Sequence, residues 1–341
     1  MATTRDVARL AKVSAGTVSR VLNHSDNVNE DLRRRVRDAA AKLGYAPPTR
    51  RSEPATVSTI GFLLSNAYLR GRDDLMAPFW AQILHGAELE ASRSGIQLHY
   101  RTISADTAEV RRSLGSAGLD AVLLVGSATD DVLEAVIGLR VPTALIDFKS
   151  QHFATDSVLS DGLDGARVAV EHLVAHGHRR IAFVGGPMTD PDAGILAVPA
   201  LQHRYLGYRI ALGAAGIPFD RALVAPCDLQ PDSVAEATGA LLDRTPFTAM
   251  FCANDPTAVG AMRVLSRAGV RVPHDVSVVG FDDDVASHSI PALTTMRVPK
   301  SAMGRIGVRR LLARVKNPTE LPLTITLPVD LVQRDSVAHR P

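Results

Sequence analysis

The feature that most constrains the fold is an alternation of short apolar runs with longer amphipathic stretches, which begins at Thr59. Such alternation indicates parallel sheets covered by helices on both faces. The runs outnumber the strands of a usual sheet, so we predict two Rossmann-like lobes. The apolar runs are Ile60–Leu64, Ile96–Tyr100, Ala121–Val125, Thr143–Ile146, Ile181–Val184, Ala249–Cys252 and Val276–Val279. The predicted helices include Trp80–Arg93, Gly165–Ala175, Val234–Leu242 and Pro256–Ala268.

The N-terminal region predicts three short helices around one small core. The first covers Asp6–Ala11, and the second runs from about Ala15 to Asn23 with Ser14 as its cap. The third covers Glu30–Leu43, and Asn29 is suited to cap it. Three helices of this length form an all-α headpiece.

A proline-rich stretch separates the two regions and breaks regular structure at Pro47, Pro48 and Pro54. We therefore predict a headpiece (1–45), a linker (46–58) and a larger domain (59–341). Within the larger domain, we assign about 59–168 and 298–322 to lobe 1, and about 169–297 and 323–335 to lobe 2.

Charge is distributed unevenly along the chain. Residues 1–52 contain eleven Lys or Arg and five Asp or Glu, whereas the remainder contains 27 basic and 31 acidic residues. A basic head on an acidic body indicates that the head binds a polyanion, although a solvated helix face is the alternative. The N-terminus has no apolar signal segment and no run is long enough to span a bilayer, so we expect a soluble, cytoplasmic protein.

Two short helices joined by a tight turn, as over Thr4–Asn23, are typical of a helix-turn-helix, although a plain three-helix bundle is the alternative. The second helix enters the major groove, where Ala15, Gly16 and Arg20 are placed to reach base edges. A bidentate contact from Arg20 to guanine is worth ~1–3 kcal/mol of discrimination. Thr17, Ser19 and Asn23 suit phosphate contacts. The candidate DNA contacts of the headpiece are Thr4, Ser14, Ala15, Gly16, Thr17, Ser19, Arg20, Asn23 and Asn29.

The segments DVARLA and VSAGTVSRVLN, followed by Leu43-Gly44-Tyr45, resemble the headpiece of the lactose-repressor family. Further motifs of that family follow in order at His176–Ile181, Phe251–Asp255, Val276–Asp283 and Leu293–Thr295. The chain is identified as a member of the family over about residues 4–335. The resemblance implies a homodimer whose headpieces bind a near-palindromic operator. It also implies a sensor similar to periplasmic binding proteins, with its ligand in the cleft between two lobes.

The resemblance also implies which residues contact the effector. A flat ring suits the apolar face of a sugar, strand-end carboxylates accept hydrogen bonds from hydroxyls, and a guanidinium suits paired hydroxyls. For Trp80 packing in the core is an equal alternative, and for Asp282 the alternative is a helix cap or a solvated turn. We assign Asp283 and Asp284 to a turn. The candidate effector contacts are Phe79, Trp80, Asp147, Arg204, Asn254 and Asp282.

Three features depart from the family pattern. The linker lacks the leucine of the family's hinge helix, so we predict that Arg50 and Arg51 enter the minor groove instead, with modest DNA bending. Leu229 stands where an aromatic ring often stacks on ligand, which favours a sugar-like effector over a purine. The segments Asn66–Met76 and Gly194–Gln202 lengthen two loops of the cleft.

These observations predict a transcriptional regulator, most simply a repressor, whose operator affinity depends on a small polar effector, a sugar or sugar derivative. A periplasmic receptor would share the cleft but would need a signal peptide and no basic head. An enzyme would need a phosphate loop or a nucleophile elbow, and the sequence contains neither motif. We expect neither a metal nor a cofactor, because His176 and His178 lack a third ligand, and Cys227 and Cys252 lack metal-binding spacing.

Overall fold

The computed structural model describes residues 4–14, 17, 18, 21, 30–43, 57–65, 78–115, 117–186 and 198–340. The chain divides into two compact units, Met1–Thr56 and Val57–Pro341. The division falls inside the stretch 46–58 that the sequence predicts as a linker.

The first unit contains helices α1 (Thr4–Ala11) and α2 (Glu30–Lys42), which pack against each other. The backbone N–H of Thr17 donates to Ser14 Oγ at 3.1 Å, which is the capping contact expected where the next helix starts. The predicted end of the third helix, Leu43, lies one residue beyond α2 and is 37% exposed. The core of this unit consists of Val7, Ala8, Ala11, Val18, Val21, Val36, Ala39 and Ala40.

The second unit contains two six-stranded sheets, as the apolar runs predict. The first sheet has the order β11–β5–β4–β3–β1–β2, and all its neighbours pair in parallel. Its strands are β1 (Thr59–Ser65), β2 (Gln97–Ile103), β3 (Ala121–Gly126), β4 (Thr143–Ile146), β5 (Asp156–Ser160) and β11 (Thr324–Leu327). Its helices are α3 (Pro78–Arg93), α4 (Thr107–Gly115), α5 (Asp130–Ile137) and α10 (Lys300–Lys316).

The second sheet has the order β12–β10–β9–β8–β6–β7, and it is parallel except for β12, which pairs antiparallel with β10. Its strands are β6 (Ile181–Val184), β7 (Val224–Ala225), β8 (Ala249–Cys252), β9 (Ser277–Asp282), β10 (Thr294–Arg297) and β12 (Asp330–Val332). Its helices are α6 (Gly162–Ala175), α7 (Pro199–Ala214), α8 (Pro231–Arg244) and α9 (Asp255–Arg267).

None of the helices that the structure describes is long and apolar enough to cross a bilayer.

The chain crosses between the lobes at places that differ from two of the predicted bounds. Helix α6 packs against α7 and the second sheet, so the first crossing lies near Asp161 rather than at residue 168. Strand β11 pairs with β5 of the first sheet, so the third crossing follows Leu327 rather than preceding residue 323. The buried carboxylate of Asp156 accepts a hydrogen bond from the backbone N–H of Leu323 at 2.9 Å, which fixes β11 beside β5.

Helices α3 and α10 approach each other unusually closely in the first lobe. A Cβ atom added at Gly304 would overlap the carbonyl oxygen of Ile83, and one added at Gly86 would overlap that of Ser301. Glycine at both positions therefore lets the two backbones meet. This contact places the first turns of α3 and α10 side by side.

Candidate effector cleft and DNA-binding unit

Three of the predicted effector residues lie at the carboxyl ends of strands. Asp147 follows β4 in the first lobe, while Asn254 follows β8 and Asp282 ends β9 in the second. Ligands of open parallel sheets bind outside this edge. Asp147 and Asp282 have positive φ angles of 70° and 108°, which cost a non-glycine residue about 1–3 kcal/mol and occur mostly at functional sites. The strained backbone therefore marks both strand ends as a candidate site.

A buried ion pair joins Arg204, on α7, to Asp282. Arg204 is only 3% exposed, and its Nη2 donates to Asp282 Oδ1 at 2.8 Å. Its Nη1 donates to the carbonyl oxygen of Ala253, and its guanidinium lies 3.9 Å from the centroid of the Phe281 ring. The buried Nε atom has no hydrogen-bond partner among the residues that the structure describes. The contacts thus hold Arg204 rigidly and leave one donor unused.

Burial brings the carboxyl groups at the cleft close to their titration range. Desolvation raises the pKa of Asp147 to about 7, against the attraction of Arg204, and the charge of Asp282 raises it further. Desolvation also raises the pKa of Asp282 to about 6 despite the nearby Arg204. The carboxyl group of Asp147 in lobe 1 is therefore close enough to respond to charges in lobe 2. Additional negative charge here would be costly, whereas hydroxyl donors would be favoured.

The two aromatic candidates occupy different environments at the start of α3. Phe79 is 8% exposed and belongs to the core, and its ring meets Trp80 edge to face with centroids 4.7 Å apart. Trp80 is half-buried, and its ring lies beside Gly126 at the end of β3. The structure therefore places Trp80 at the cleft edge of the first sheet, with Phe79 as its support.

Asn254 has a structural role that strand position alone does not reveal. Its Oδ1 accepts a hydrogen bond from the backbone N–H of Thr257 at 3.0 Å and so caps α9. The next residue, Asp255, is buried, and its Oδ1 accepts a hydrogen bond from Thr295 Oγ1 at 2.6 Å. Burial, followed by the charge of Asp282, raises the pKa of Asp255 to about 7. Sequence reasoning missed Asp255 because it looked like an ordinary first-turn helix residue.

Asp283 and Asp284 lie in the turn that follows β9, but the assignment to a turn did not reveal their ionic partners. Asp283 forms ion pairs with Arg297 at 2.7 Å and with Arg334 at 2.6 Å, and these arginines hold its pKa below the usual value despite burial. Asp284 lies 2.7 Å from the ammonium of Lys300. Three consecutive aspartates after a buried strand were the available signal, because such charges need partners when buried.

A cavity of about 300 Å³ opens at the ends of β3 and β4. It is lined by Ser127 and Thr129 from one loop, by Phe148 and Gln151 from the next, and by Pro199 from the second lobe. This volume is at the lower end of the range found for small-molecule sites. Pro199 is its single lining residue from the second lobe, and none of the six candidate effector residues lines it.

The histidines singled out in the sequence have structural partners. His176 Nδ1 lies 2.7 Å from the carbonyl oxygen of His172, and His178 Nδ1 lies 3.0 Å from Thr248 Oγ1. Burial lowers the pKa of His178. Within the described part of the chain, no group of three or more His, Cys, Asp or Glu side chains is arranged to hold a metal ion.

The predicted DNA contacts lie only partly within the residues that the structure describes. Thr4 begins α1, while Ser14 is exposed and its Oγ lies 2.9 Å from Thr17 Oγ1. The side chains of Ser14 and Thr17 therefore lie together at the start of the second helix. The other predicted contacts lie outside the described residues, namely Ala15, Gly16, Ser19, Arg20, Asn23, Asn29, Arg50 and Arg51.

Comparison with known proteins matches both units. A family model described as bacterial regulatory proteins, lacI family, matches residues 3–48, and one described as a periplasmic binding protein-like domain matches residues 170–337. The HTH-type transcriptional regulator CelR of Thermobifida fusca is 36% identical, over 97% of this chain and 96% of its own length. The chain belongs to the lacI family of bacterial regulatory proteins.

Solved structures of lacI-family proteins are similar over nearly the whole chain. A CelR–cellobiose complex has a TM-score of 0.73 and 34% identity, covering 98% of this chain and all of its own. A lac repressor dimer bound to operator and the anti-inducer ONPF has a TM-score of 0.69 and 29% identity, covering 99% of both chains. The predictions of family, fold class and a DNA-binding transcriptional regulator rather than an enzyme are therefore confirmed.

Proposed function

We propose that this lacI-family regulator is a cytoplasmic, homodimeric repressor whose operator affinity is controlled by an uncharged saccharide bound between the lobes of its second unit. The observation that carries the proposal is the pairing of Arg204 with Asp282 opposite Asp147. These groups supply carboxylate oxygens for hydroxyl donors and one unused guanidinium donor.

An anionic effector fits this arrangement poorly. Both terminal nitrogens of Arg204 are already engaged, so a phosphate or carboxylate would have to displace a buried ion pair. Lys300 is likewise held by Asp284. Breaking a buried pair by removing one partner costs about 3–5 kcal/mol, and an anion would also face the charge of Asp147. A neutral sugar avoids both costs.

A planar base is also less favoured than a sugar. Leu229 has a positive φ of 67° and packs its side chain against the cores of the second unit, where an aromatic ring would be needed for stacking. Trp80 is the only tryptophan of the chain, and a single ring suits the apolar face of one sugar. The similar CelR structure contains cellobiose, which makes cellobiose the first candidate to test.

A second copy of the chain has a suitable surface at the end of the second lobe. Ile290 is 96% exposed and stands beside a groove of about 470 Å³ lined by Val259, Met262 and Arg263 of α9. An isoleucine so exposed is typical of an interface, and the similar lac repressor structure is a dimer. Ile290→Asp should shift the mass measured by light scattering to that of a monomer. The matched control Leu321→Asp, at a residue 79% exposed in lobe 1, should leave the dimer intact.

The first unit would recognise DNA through the start of its second helix. Arg20→Ala should relax the preference for operator over random duplex while leaving the second unit folded, because a bidentate base contact discriminates by ~1–3 kcal/mol. Operator affinity should also fall steeply with salt, since phosphate contacts release counterions. An unchanged preference in Arg20→Ala would remove Arg20 from the base-reading role.

The central experiment measures effector binding and operator binding on one sample. The fluorescence of Trp80 reports occupancy of the cleft, because no other tryptophan contributes. Cellobiose and glucose are compared with glucose 6-phosphate and hypoxanthine. We expect a neutral saccharide to bind and to change the operator affinity ~5–150-fold. Binding of the phosphate ester or the base, without binding of either sugar, would contradict the proposal.

A further inference from the structure

Lys300 is a buried cation that bridges the two lobes. It is the first residue of α10, which belongs to the first lobe, yet its ammonium reaches the turn Asp282–Asp284 of the second. The side chain is 2% exposed, donates to the carbonyl oxygen of Asp282, and lies 2.7 Å from Asp284 Oδ1 and 3.5 Å from the carbonyl oxygen of Asp283. One ammonium group therefore contacts three consecutive residues of the opposite lobe.

The position is unfavourable for a lysine unless these contacts are needed. Burying an ammonium costs several kcal/mol before its partners compensate. The N-terminus of a helix also carries a partial positive charge, which disfavours a cation in the first turn of α10. A methionine would fill the same space without either cost. Packing of the helix therefore does not explain Lys300, whereas the charge of the turn does.

The turn that Lys300 contacts is strained and acidic. Asp282 and Asp283 both have positive φ angles, 108° and 56°, which persist only when surrounding contacts determine them. Arg204 holds the carboxylate of Asp282, and Lys300 holds its carbonyl group. The ammonium also lowers the pKa of Asp282, against burial and the charge of Asp284, which both raise it. Lys300 thus maintains both the shape and the charge of a proposed effector contact.

Lys300 also lies close to the residues that form the first-lobe side of the cleft. The ammonium of Lys300 is 5.7 Å from the centroid of the Phe79 ring, which supports Trp80. Helix α10 is fastened to α3 by Arg309, whose Nε and Nη2 donate to Glu90 at 2.8 and 3.0 Å. Lys300 therefore contacts the turn in lobe 2 and lies near the ring that supports Trp80 in lobe 1.

We propose that Lys300 is the positioning residue that couples effector occupancy at Asp282 to the relative orientation of the two lobes. This inference rests on the proposed control of operator binding by a ligand in the cleft. It assigns to Lys300 a role in the response to the effector, distinct from contact with the effector itself. Loss of the ammonium should leave the sites present but weaken the communication between them.

The test uses the full chain with Lys300→Met, Asp284→Asn, the double variant and Lys300→Arg. Lys316→Met, at the exposed end of the same helix, is the matched control. Operator affinity is measured with and without saturating cellobiose. We expect the ratio, ~5–150-fold in the parent, to fall below about two-fold in Lys300→Met and to survive in Lys316→Met and, in part, in Lys300→Arg.

The double variant separates coupling from folding. Removing both partners of a buried pair is often neutral for stability, so the double variant should melt near the parent temperature while its affinity ratio stays lost. A double variant that regained both stability and the ratio would show that Lys300 acts only on folding. A parent-like ratio in Lys300→Met would overturn the inference directly. Should Lys300→Met fail to fold, Asp284→Asn must lose the ratio for the inference to stand.

A measurement without effector keeps the inference separate from the choice of sugar. Hydrogen exchange of the full chain should be at least about ten-fold faster in Lys300→Met over both 281–286 and 298–303, because local opening follows the contacts that hold a segment. Unchanged protection in the second-lobe segment would overturn the inference. If no saccharide affects the parent, the proposal of a sugar effector fails. The exchange data alone then test whether Lys300 links the turn of the second lobe to the start of α10.

Discussion

Replacing Arg204 by methionine tests the central ion pair of the cleft. The change removes two buried hydrogen bonds and the guanidinium stacked on Phe281, and it leaves the carboxylate of Asp282 buried without its main cation. Breaking a buried pair in this way costs about 3–5 kcal/mol. That loss is a large part of the ~5–15 kcal/mol that stabilises a typical protein. Because 1 kcal/mol shifts the melting temperature of a unit as large as Val57–Pro341 by roughly 1.7 °C, we expect a decrease of about 5–8 °C.

The decrease should depend on pH in a defined direction. Arg204 lowers the pKa values of Asp147 and Asp282, which burial has raised to about 7 and about 6, so its removal raises both further. A carboxyl group with a raised pKa in the folded state contributes its stability while protonated, and that stability is lost as the pH rises through the folded value. The variant should therefore lose more stability at pH 8 than at pH 5.5.

Calorimetry of the full chain at these two pH values measures both effects. Arg209→Met is the matched control, because Arg209 is exposed on the same helix. Combining Arg204→Met with Asp282→Asn should recover part of the loss at pH 8, since the stranded charge is then absent. A decrease of less than about 1 kcal/mol, or an equal decrease at both pH values, would refute the electrostatic reasoning.

Three further predictions address other parts of the molecule. Ser14→Ala should weaken operator binding and leave the melting of the second unit unchanged, because losing a helix cap costs about 1 kcal/mol; a change in melting would contradict it. Gly304→Val should destabilise the second unit by at least about 1–3 kcal/mol through overlap with α3. Gly213→Ala, with open space around it, should stabilise the unit by about 0.5–1 kcal/mol, and thermal unfolding of both variants tests these two expectations. Cellobiose affinity should fall as the pH drops from 8 to 5.5 because Asp147 becomes protonated, and Asp147→Asn should reduce this dependence in fluorescence titrations.

The central strands could be predicted from the sequence because burial on both faces makes them continuous apolar runs. Strand β8 has the predicted bounds, Ala249–Cys252, and β6 likewise has Ile181–Val184. Strand β11 could not be predicted in this way, because it is an edge strand in which half-buried and exposed residues alternate. Its membership of the first sheet depends on the carboxylate of Asp156, far away in the sequence. Pairing at an edge is thus decided by tertiary contacts.

The candidate site could be predicted where position along a strand was sufficient, as for Asp147 and Asp282. The ion pair of Arg204 with Asp282, by contrast, joins residues 78 positions apart, and the contact of Lys300 with Asp282 joins residues 18 apart. The only local signal for Lys300 is a cation in the first turn of a helix, and that position alone does not identify its partners. Its importance appears only once the fold buries it against the acidic turn.

The distribution of these charges also explains how a cleft can respond to a neutral ligand. An apolar cleft would close on itself, because hydrophobic burial stabilises contact whether or not a ligand is present. Here Asp147 of lobe 1 and Asp282 of lobe 2 are close enough for the charge of one to raise the pKa of the other, so an empty closed cleft brings like charges together. Hydroxyl donors between them would relieve that repulsion. A ligand shifts a conformational equilibrium only through its differential affinity for the two conformations. A sugar that relieves the repulsion of the closed cleft binds the closed conformation more tightly than the open one, and this difference in affinity is what control of operator binding requires.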